Sequence, residues 1–323
     1  MLLLIRRAST FAVACPGQGI IVRGCLNALK SHQHLLQKSL DCVDETLGCN
    51  FSSHLLDSPS LTPDSWSQST ANAQPAIVAS TYVLYSLFKE LHGIDLACDS
   101  RVSYLMGHSL GEYTALLLGG ALTLPQAIAV VRKRGLLMEQ LVQQKKYAMT
   151  VLVFKPAEFD RVVDIAKEHG ILACINNSTQ VLISGEPEQL QKAVDVINLP
   201  KKRILKQAQL PVTIPFHNSV LSPMDDQLAA LVIDERRSSK PVISNLTGQP
   251  CEDYPFSNTV KSNSLPVQWK KSMEFLIEQG VSQIVNLGPG NAVDAINGRF
   301  KVHNWPLKGL EDFDKLAEAL RAE

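Results

Sequence analysis

Gly107-His108-Ser109-Leu110-Gly111 is the segment whose residue types and spacing come closest to chemistry. The apolar run Val102 to Met106 precedes it, and Glu112-Tyr113-Thr114-Ala115-Leu116-Leu117-Leu118 follows. An extended stretch thus enters Gly-X-Ser-X-Gly and a helical pattern leaves it, which is the strand, tight turn and helix of a nucleophile elbow. Gly107 and Gly111 let strand and helix approach closely, while Ser109 takes a strained backbone conformation that projects its hydroxyl. The helix start aims its amides and dipole at negative charge forming beside the serine. The alternative is a glycine-rich turn that only packs.

A serine nucleophile needs a base. His217 closes the segment Pro211-Val212-Thr213-Ile214-Pro215-Phe216-His217, where two prolines stiffen an extended approach. The other histidines (32, 34, 54, 92, 108, 169, 303) fall in helices, in polar or terminal segments, or inside the elbow. His217 is therefore the candidate, although a histidine so placed can also be structural. Earlier in the chain, Thr10 to Cys15 reads as a buried strand feeding the loop Pro16-Gly17-Gln18-Gly19. That loop lacks the spacing and Lys-Ser/Thr of a phosphate cradle, and it suits either a second amide for an oxyanion hole or a simple turn.

Arg134 is the third residue of interest. Thr123-Leu124-Pro125-Gln126 caps a helix to about Val142, whose inward stripe runs through Ala127, Val130 or Val131, Arg134, Leu137 or Met138, and Leu141. Arg132 and Lys133 point away and are read as solvated. A guanidinium on the inward side must meet an anion or thread its stem to water. It therefore either pairs with a structural carboxylate or offers a fork to a substrate carboxylate.

Around these residues the pattern is that of an α/β protein. Pro75 is placed in the first turn of an apolar helix, Ala76 to Leu91. From Thr150 to Leu210 the elements follow the order βαββαβ, which predicts a ferredoxin-like small domain at residues 147–210 inserted in a core of residues 10–146 and 211–323. Pro241 to Ser244 and Gln283 to Leu287 read as further strands, and the turn Gly288-Pro289-Gly290 ends the second at a position suited to an active-site mouth.

The composition excludes other classes of function. With 31 basic and 31 acidic residues the formal charge is zero, which gives no reason to expect nucleic acid or a membrane surface. Seven scattered cysteines without a Cys-X-X-Cys pair argue for thiols in a reducing compartment and against a zinc site. Residues 1–9 carry two arginines, and no acid occurs before Asp41, which resembles a mitochondrial leader.

Taken together, Pro16-Gly17-Gln18-Gly19, Gln74-Pro75-Ala76, Gly107-His108-Ser109-Leu110-Gly111-Glu112, Arg134-Gly135, Phe216-His217-Asn218-Ser219, Pro266-Val267-Gln268-Trp269 and Gly288-Pro289-Gly290 resemble malonyl-CoA:acyl-carrier-protein transacylases, in that family's order. The likeness is greatest to the mitochondrial, fungal-type enzyme of type II fatty-acid synthesis. It implies an α/β-hydrolase-like core with the small domain inserted. Ser109 would be the nucleophile, His217 the base and then acid, and the Gln18 and Leu110 amides the oxyanion hole. Arg134 would grip the malonyl carboxylate, with Gln74 and Asn177 lining the acyl pocket. Phe216 and Leu110 would favour malonyl over branched units. The Ser262 carbonyl would orient the histidine, although Lys261-Ser262-Asn263-Ser264-Leu265 departs from the family pattern. No cofactor or metal is implied. The partners would be malonyl-CoA and acyl carrier protein, with a monomer in the mitochondrial matrix.

Two rivals remain at this level. A serine hydrolase, either an α/β-hydrolase esterase or a patatin-like lipase, shares Gly-X-Ser-X-Gly but wants an acid between Ser109 and His217, and the acids there lie in the small domain. A silent docking protein would use Lys201-Lys202-Arg203 with Lys206, or Arg236-Arg237, as a landing patch for an acidic carrier.

Overall fold

The structure, a computed structural model, describes residues 10–19, 23–232, 236–251 and 255–322. The leader expected at residues 1–9 lies outside the described residues. The strands are β1 Thr10–Cys15, β2 Val102–Gly107, β3 Ala148–Phe154, β4 Leu172–Asn177, β5 Gln180–Gly185, β6 Ile204–Gln209, β7 Val242–Ile243, β8 Pro250–Cys251, β9 Val281–Leu287 and β10 His303–Leu307. The core sheet has the order β10-β9-β1-β2-β7-β8, parallel throughout except for β8. β1 sits between β9 and β2, and Phe11 to Cys15 are buried, as a parallel strand with both faces covered requires. Ser109 follows the carboxyl end of β2, where sites form in open α/β sheets.

Residues 148–209 build the second sheet, antiparallel in the order β4-β5-β3-β6, with helices Phe159–Glu168 and Pro187–Ile197 as crossovers. This is the ferredoxin-like arrangement, with an apolar core of its own around Leu152, Val162, Val181 and Ile183. Its edge strand β4 brackets Val267 from the core domain. Val267 N donates to Ala173 O and Ile175 N donates to Val267 O, both at 2.9 Å.

Two expectations need correcting, and they have one cause. The long helix runs Thr70–His92, so Pro75 lies inside it and not in its first turn. Proline has no N–H to offer the carbonyl four residues back. That carbonyl, Ala71 O, accepts from Arg132 Nη1 at 2.8 Å instead, and Arg132 also donates to the Asn72 carboxamide. Arg132 is therefore half-buried and repairs a broken helical ladder, while Lys133 is exposed. The helix Leu124–Leu141 that carries both begins with a capping box between Thr123 and Gln126.

Gly135 makes this pairing of helices close. A Cβ there would stand 2.5 Å from Ala71 Cα and 2.8 Å from Ala71 N, against backbone that cannot move aside. In an open helix Gly→Ala gains about 0.5–1 kcal/mol. Here Gly135→Ala should instead lower unfolding free energy by about 1–3 kcal/mol, read as a lower denaturant midpoint with an unchanged slope.

Candidate active site

Ser109 has φ 54° and ψ −111°, and Leu110–Leu118 starts immediately after it. The turn is tight because two glycines vanish into it. A Cβ on Gly107 would lie 1.9 Å from the Gly111 carbonyl carbon, and one on Gly111 would lie 2.2 Å from Cys15 O. The loop after β1 is thereby pressed onto the elbow. His108 N donates to Cys15 O at 3.0 Å, and a Cβ on Gly17 would sit 2.7 Å from His108 O. Among the described residues neither the Gln18 nor the Leu110 amide hydrogen bonds back into the protein. Both are available to an oxyanion beside Ser109, and Leu110 adds the helix N-terminus.

His217 also has a positive φ, 60°, and both its neighbours are fixed to β5. Ser184 Oγ donates to Phe216 O at 2.9 Å, and Asn218 Nδ2 donates to Ser184 O at 2.8 Å. The ring is thus aimed by the inserted domain. Its Nδ1 lies 2.7 Å from Ser262 O and its Nε2 lies 2.6 Å from Ser109 Oγ. A carbonyl can only accept, so the proton sits on Nδ1 and Nε2 is the lone-pair site for the serine hydroxyl. The strand-end carboxylate that a hydrolase would place behind the histidine is replaced by that main-chain carbonyl. Burial pushes the His217 imidazole down to about 3, and the Arg134 charge pushes the same way.

Ser109, His217, Arg134, Gln18 and Phe216 line one cleft of about 780 Å³ between the two sheets. Arg134 is 1% exposed. Its Nε donates to Asn263 Oδ1 at 2.7 Å, Nη1 has no partner, and its guanidinium carbon lies 5.5 Å from the Tyr113 ring centroid. Among the described residues no carboxylate forms an ion pair with it. Of the two readings open to a buried arginine, a structural acid partner is therefore ruled out.

The acyl transferase domain family matches residues 13–291. A malonyl CoA-acyl carrier protein transacylase of Bacillus subtilis (strain 168) is 31% identical over 308 residues, 91% of this chain and 92% of its own. One from Escherichia coli O157:H7 is 27% identical over 319 residues, 96% of this chain and 98% of its own. The chain belongs to the acyl transferase domain family. Among solved structures, the malonyl CoA-acyl carrier protein transacylase of Coxiella burnetii has TM-score 0.85 at 24% identity, covering 97% of this chain and 98% of its own. A malonyl-transacylase in complex with its type II polyketide acyl-carrier protein has TM-score 0.84 at 25% identity, covering 96% and 100%.

In this acyltransferase some of the expected residues lie elsewhere. Gln74 is fully buried behind the cleft, donating to Gln18 Oε1 at 3.2 Å, so it steadies the Gln18 side chain from behind. Asn177 does not line the cleft. Its Oδ1 accepts from Thr179 N and Oγ1, closing the β4–β5 turn, and the side chain facing the elbow is that of Asn176, 3.0 Å from His108 Nε2. The β4–β5 register shifts between Ile175 and Asn177, so the spacing alone does not say which of the two asparagines meets the elbow. Gly288-Pro289-Gly290 also stays out of the cleft and backs the Pro16-Gly17-Gln18-Gly19 loop, since a Cβ on Gly288 would meet Pro16 at 2.7 Å. Lys206 is exposed on β6, Lys201 and Lys202 are exposed just before it, and Arg203 pairs with Glu158.

Sequence reasoning missed Asn245 altogether. Its Oδ1 accepts from Ser109 N at 2.9 Å, its Nδ2 donates to Gly107 O at 2.6 Å, and its own N donates to Glu112 Oε2 at 3.0 Å. One asparagine so holds both arms of the elbow. Its only sequence signal is its place just after the strand Pro241 to Ser244.

The depressed His217 sets a pH dependence. Only the neutral ring can accept the serine proton, and burial keeps it neutral well below the ordinary histidine value of about 6.5. The acid limb of kcat/KM, or of Ser109 modification by a serine-directed fluorophosphonate, should therefore fall below pH 6. A limb at the ordinary histidine value would contradict this environment.

Proposed function

We propose that this acyltransferase moves a malonyl group from malonyl-CoA to the phosphopantetheine thiol of an acyl carrier protein, through a malonyl-Ser109 intermediate, in fatty-acid synthesis. The observation that carries this reading is Arg134, a buried cation that has no counter-ion among the described residues and lies in the same cleft as Ser109 and His217. The names of its bacterial relatives agree.

The geometry performs the reaction in two halves. Ser109 Oγ attacks the thioester carbonyl while His217 Nε2 takes its proton, and the Gln18 and Leu110 amides receive the oxyanion. Collapse breaks the C–S bond, and His217 returns the proton to the departing coenzyme A sulfur. The carrier thiol then gives its proton to His217 and attacks malonyl-Ser109. The same hole is used again, and the proton returns to Ser109 Oγ. Losing one oxyanion donor typically raises such a barrier by about 3 kcal/mol. Arg134 forms paired hydrogen bonds to the free carboxylate and thereby turns the acyl chain into line. Phe216, buried beside the histidine, narrows the cleft against branched acyl groups.

Incubation with malonyl-CoA should add one malonyl mass to the peptide bearing Ser109, and Ser109→Ala should abolish it. Arg134→Ala should lower malonyl transfer about a hundredfold or more while acetyl transfer is retained, because only malonyl presents a carboxylate to the site. Equal losses for both acyl groups would remove Arg134 from substrate recognition.

For location we propose the mitochondrial matrix, as for the mitochondrial, fungal-type enzyme, supported by the basic, acid-free leader at residues 1–9. A fluorescent reporter fused after residues 1–30 should enter mitochondria. Diffuse fluorescence would refute the assignment.

A further inference from the structure

Arg134 can recognise a carboxylate only if something holds its charged head in place. A buried guanidinium has two ordinary fates. It can pair with a protein carboxylate, which cancels the charge a substrate would need, or its flexible stem can carry the head toward water. Here it does neither, because a neutral acceptor holds it. Asn263 Oδ1 accepts a hydrogen bond from Nε at 2.7 Å, and among the described residues Nη1 has no protein partner.

The carboxamide is itself locked. Asn263 Nδ2 donates to Tyr113 Oη at 2.8 Å, so the oxygen must face the arginine and the amino group the tyrosine, and the reverse orientation would set donor against donor. The Tyr113 ring closes the triangle beside the guanidinium. Asn263 also directly follows Ser262, whose carbonyl orients His217. The two residues form one turn at the end of the helix Pro255–Lys261, fixed by Ser262 N to Asn258 O at 2.9 Å, Asn263 N to Val260 O at 3.1 Å and Ser262 Oγ to Thr259 O at 2.8 Å. One rigid dipeptide therefore references the base and the cation to a common frame.

From this geometry we infer that Asn263 is a specificity-determining positioning residue. It fixes the Arg134 fork through Nε with a neutral dipole, so that the full positive charge is kept for the carboxylate of the acyl group. The inference rests on the malonyl-transfer reading and adds to it the residue that makes the cation selective. Charge at position 263 is the sensitive variable. An aspartate of the same shape would place an anion on Nε, compete with the substrate carboxylate, and leave uncharged acyl groups unaffected.

The test compares full-length wild type, Asn263→Asp and Asn263→Leu, with kcat/KM measured separately for malonyl-CoA and acetyl-CoA. Labelling of Ser109 by a fluorophosphonate serves as an independent gauge of the Ser109–His217 pair and of folding. We expect Asn263→Asp to lower the malonyl-to-acetyl ratio at least thirtyfold, mainly through a higher KM for malonyl-CoA, with Ser109 labelling within about twofold of wild type. Asn263→Leu, which removes the acceptor without adding charge, should lower the ratio less, about fivefold to tenfold. An unchanged ratio in Asn263→Asp overturns the inference. So does a parallel loss of both acyl activities and of labelling in both variants, which would make the turn a support for His217 alone. If wild type itself forms no malonyl-Ser109, the functional reading fails and this inference falls with it. If wild type is loaded but the ratio holds in the variants, only the role of Asn263 fails.

Discussion

A 2.6 Å hydrogen bond joins Ser109 Oγ to His217 Nε2 across 108 positions of sequence, and both residues sit in the left-handed half of backbone space. For residues other than glycine each such conformation costs on the order of 1–3 kcal/mol and persists only where its surroundings over-determine it. Much of the fold is that surrounding. The serine is pinned by the sterically sealed glycines and by Asn245, and the histidine by Ser184 and Asn218. The inserted domain therefore contributes to the chemistry, because its strand β5 holds the backbone on either side of the base.

The second organising feature is the use of neutral amides where charges would do harm. Asn245, Asn263, Asn176 and Asn218 each hold part of the site through a carboxamide. An ionised side chain in any of these places would shift the histidine or cancel Arg134, since charge effects are strong where water is excluded. Glu112 is the exception that keeps to the rule. Fully buried under the elbow, it accepts from Asn245 N and Thr259 Oγ1, and burial raises its carboxyl to about 7, which weakens its hold on a charge. The Pro266-Val267-Gln268-Trp269 segment completes the frame. Val267 is bonded to β4, Gln268 N donates to Asn245 O at 2.8 Å, and the Trp269 ring lies 5.2 Å from that of His108.

Local patterns made much of this readable in advance. The parallel strands are apolar runs, the βαββαβ order appears in the periodicities, the Thr123 capping box marks its helix, and the inward stripe placed Arg134 on the buried face. Each of these signals is short-range, arising from side-chain spacing within a single element. The errors are also instructive. A proline usually marks a helix start, and Pro75 is tolerated inside its helix because Arg132, arriving from another helix, satisfies the freed Ala71 carbonyl. Asn177 and Asn176 are neighbours with different partners, Thr179 and His108, at a point where the β4–β5 register shifts.

From the sequence alone came the candidate nucleophile, the candidate base, the buried arginine and the order of the elements, because each is encoded by residue type and by spacing of a few positions. Tertiary structure decided that the carbonyl behind the histidine stays on Ser262, the residue the resemblance pointed to, although Lys261 to Leu265 departs from the family pattern. It alone decided that Arg134 has a neutral amide and, among the described residues, no acid for a partner, and that Asn245 secures the elbow. Those contacts span from 45 to 136 positions, and no local period records which polar group will meet which across such a distance. They depend on how the layers pack.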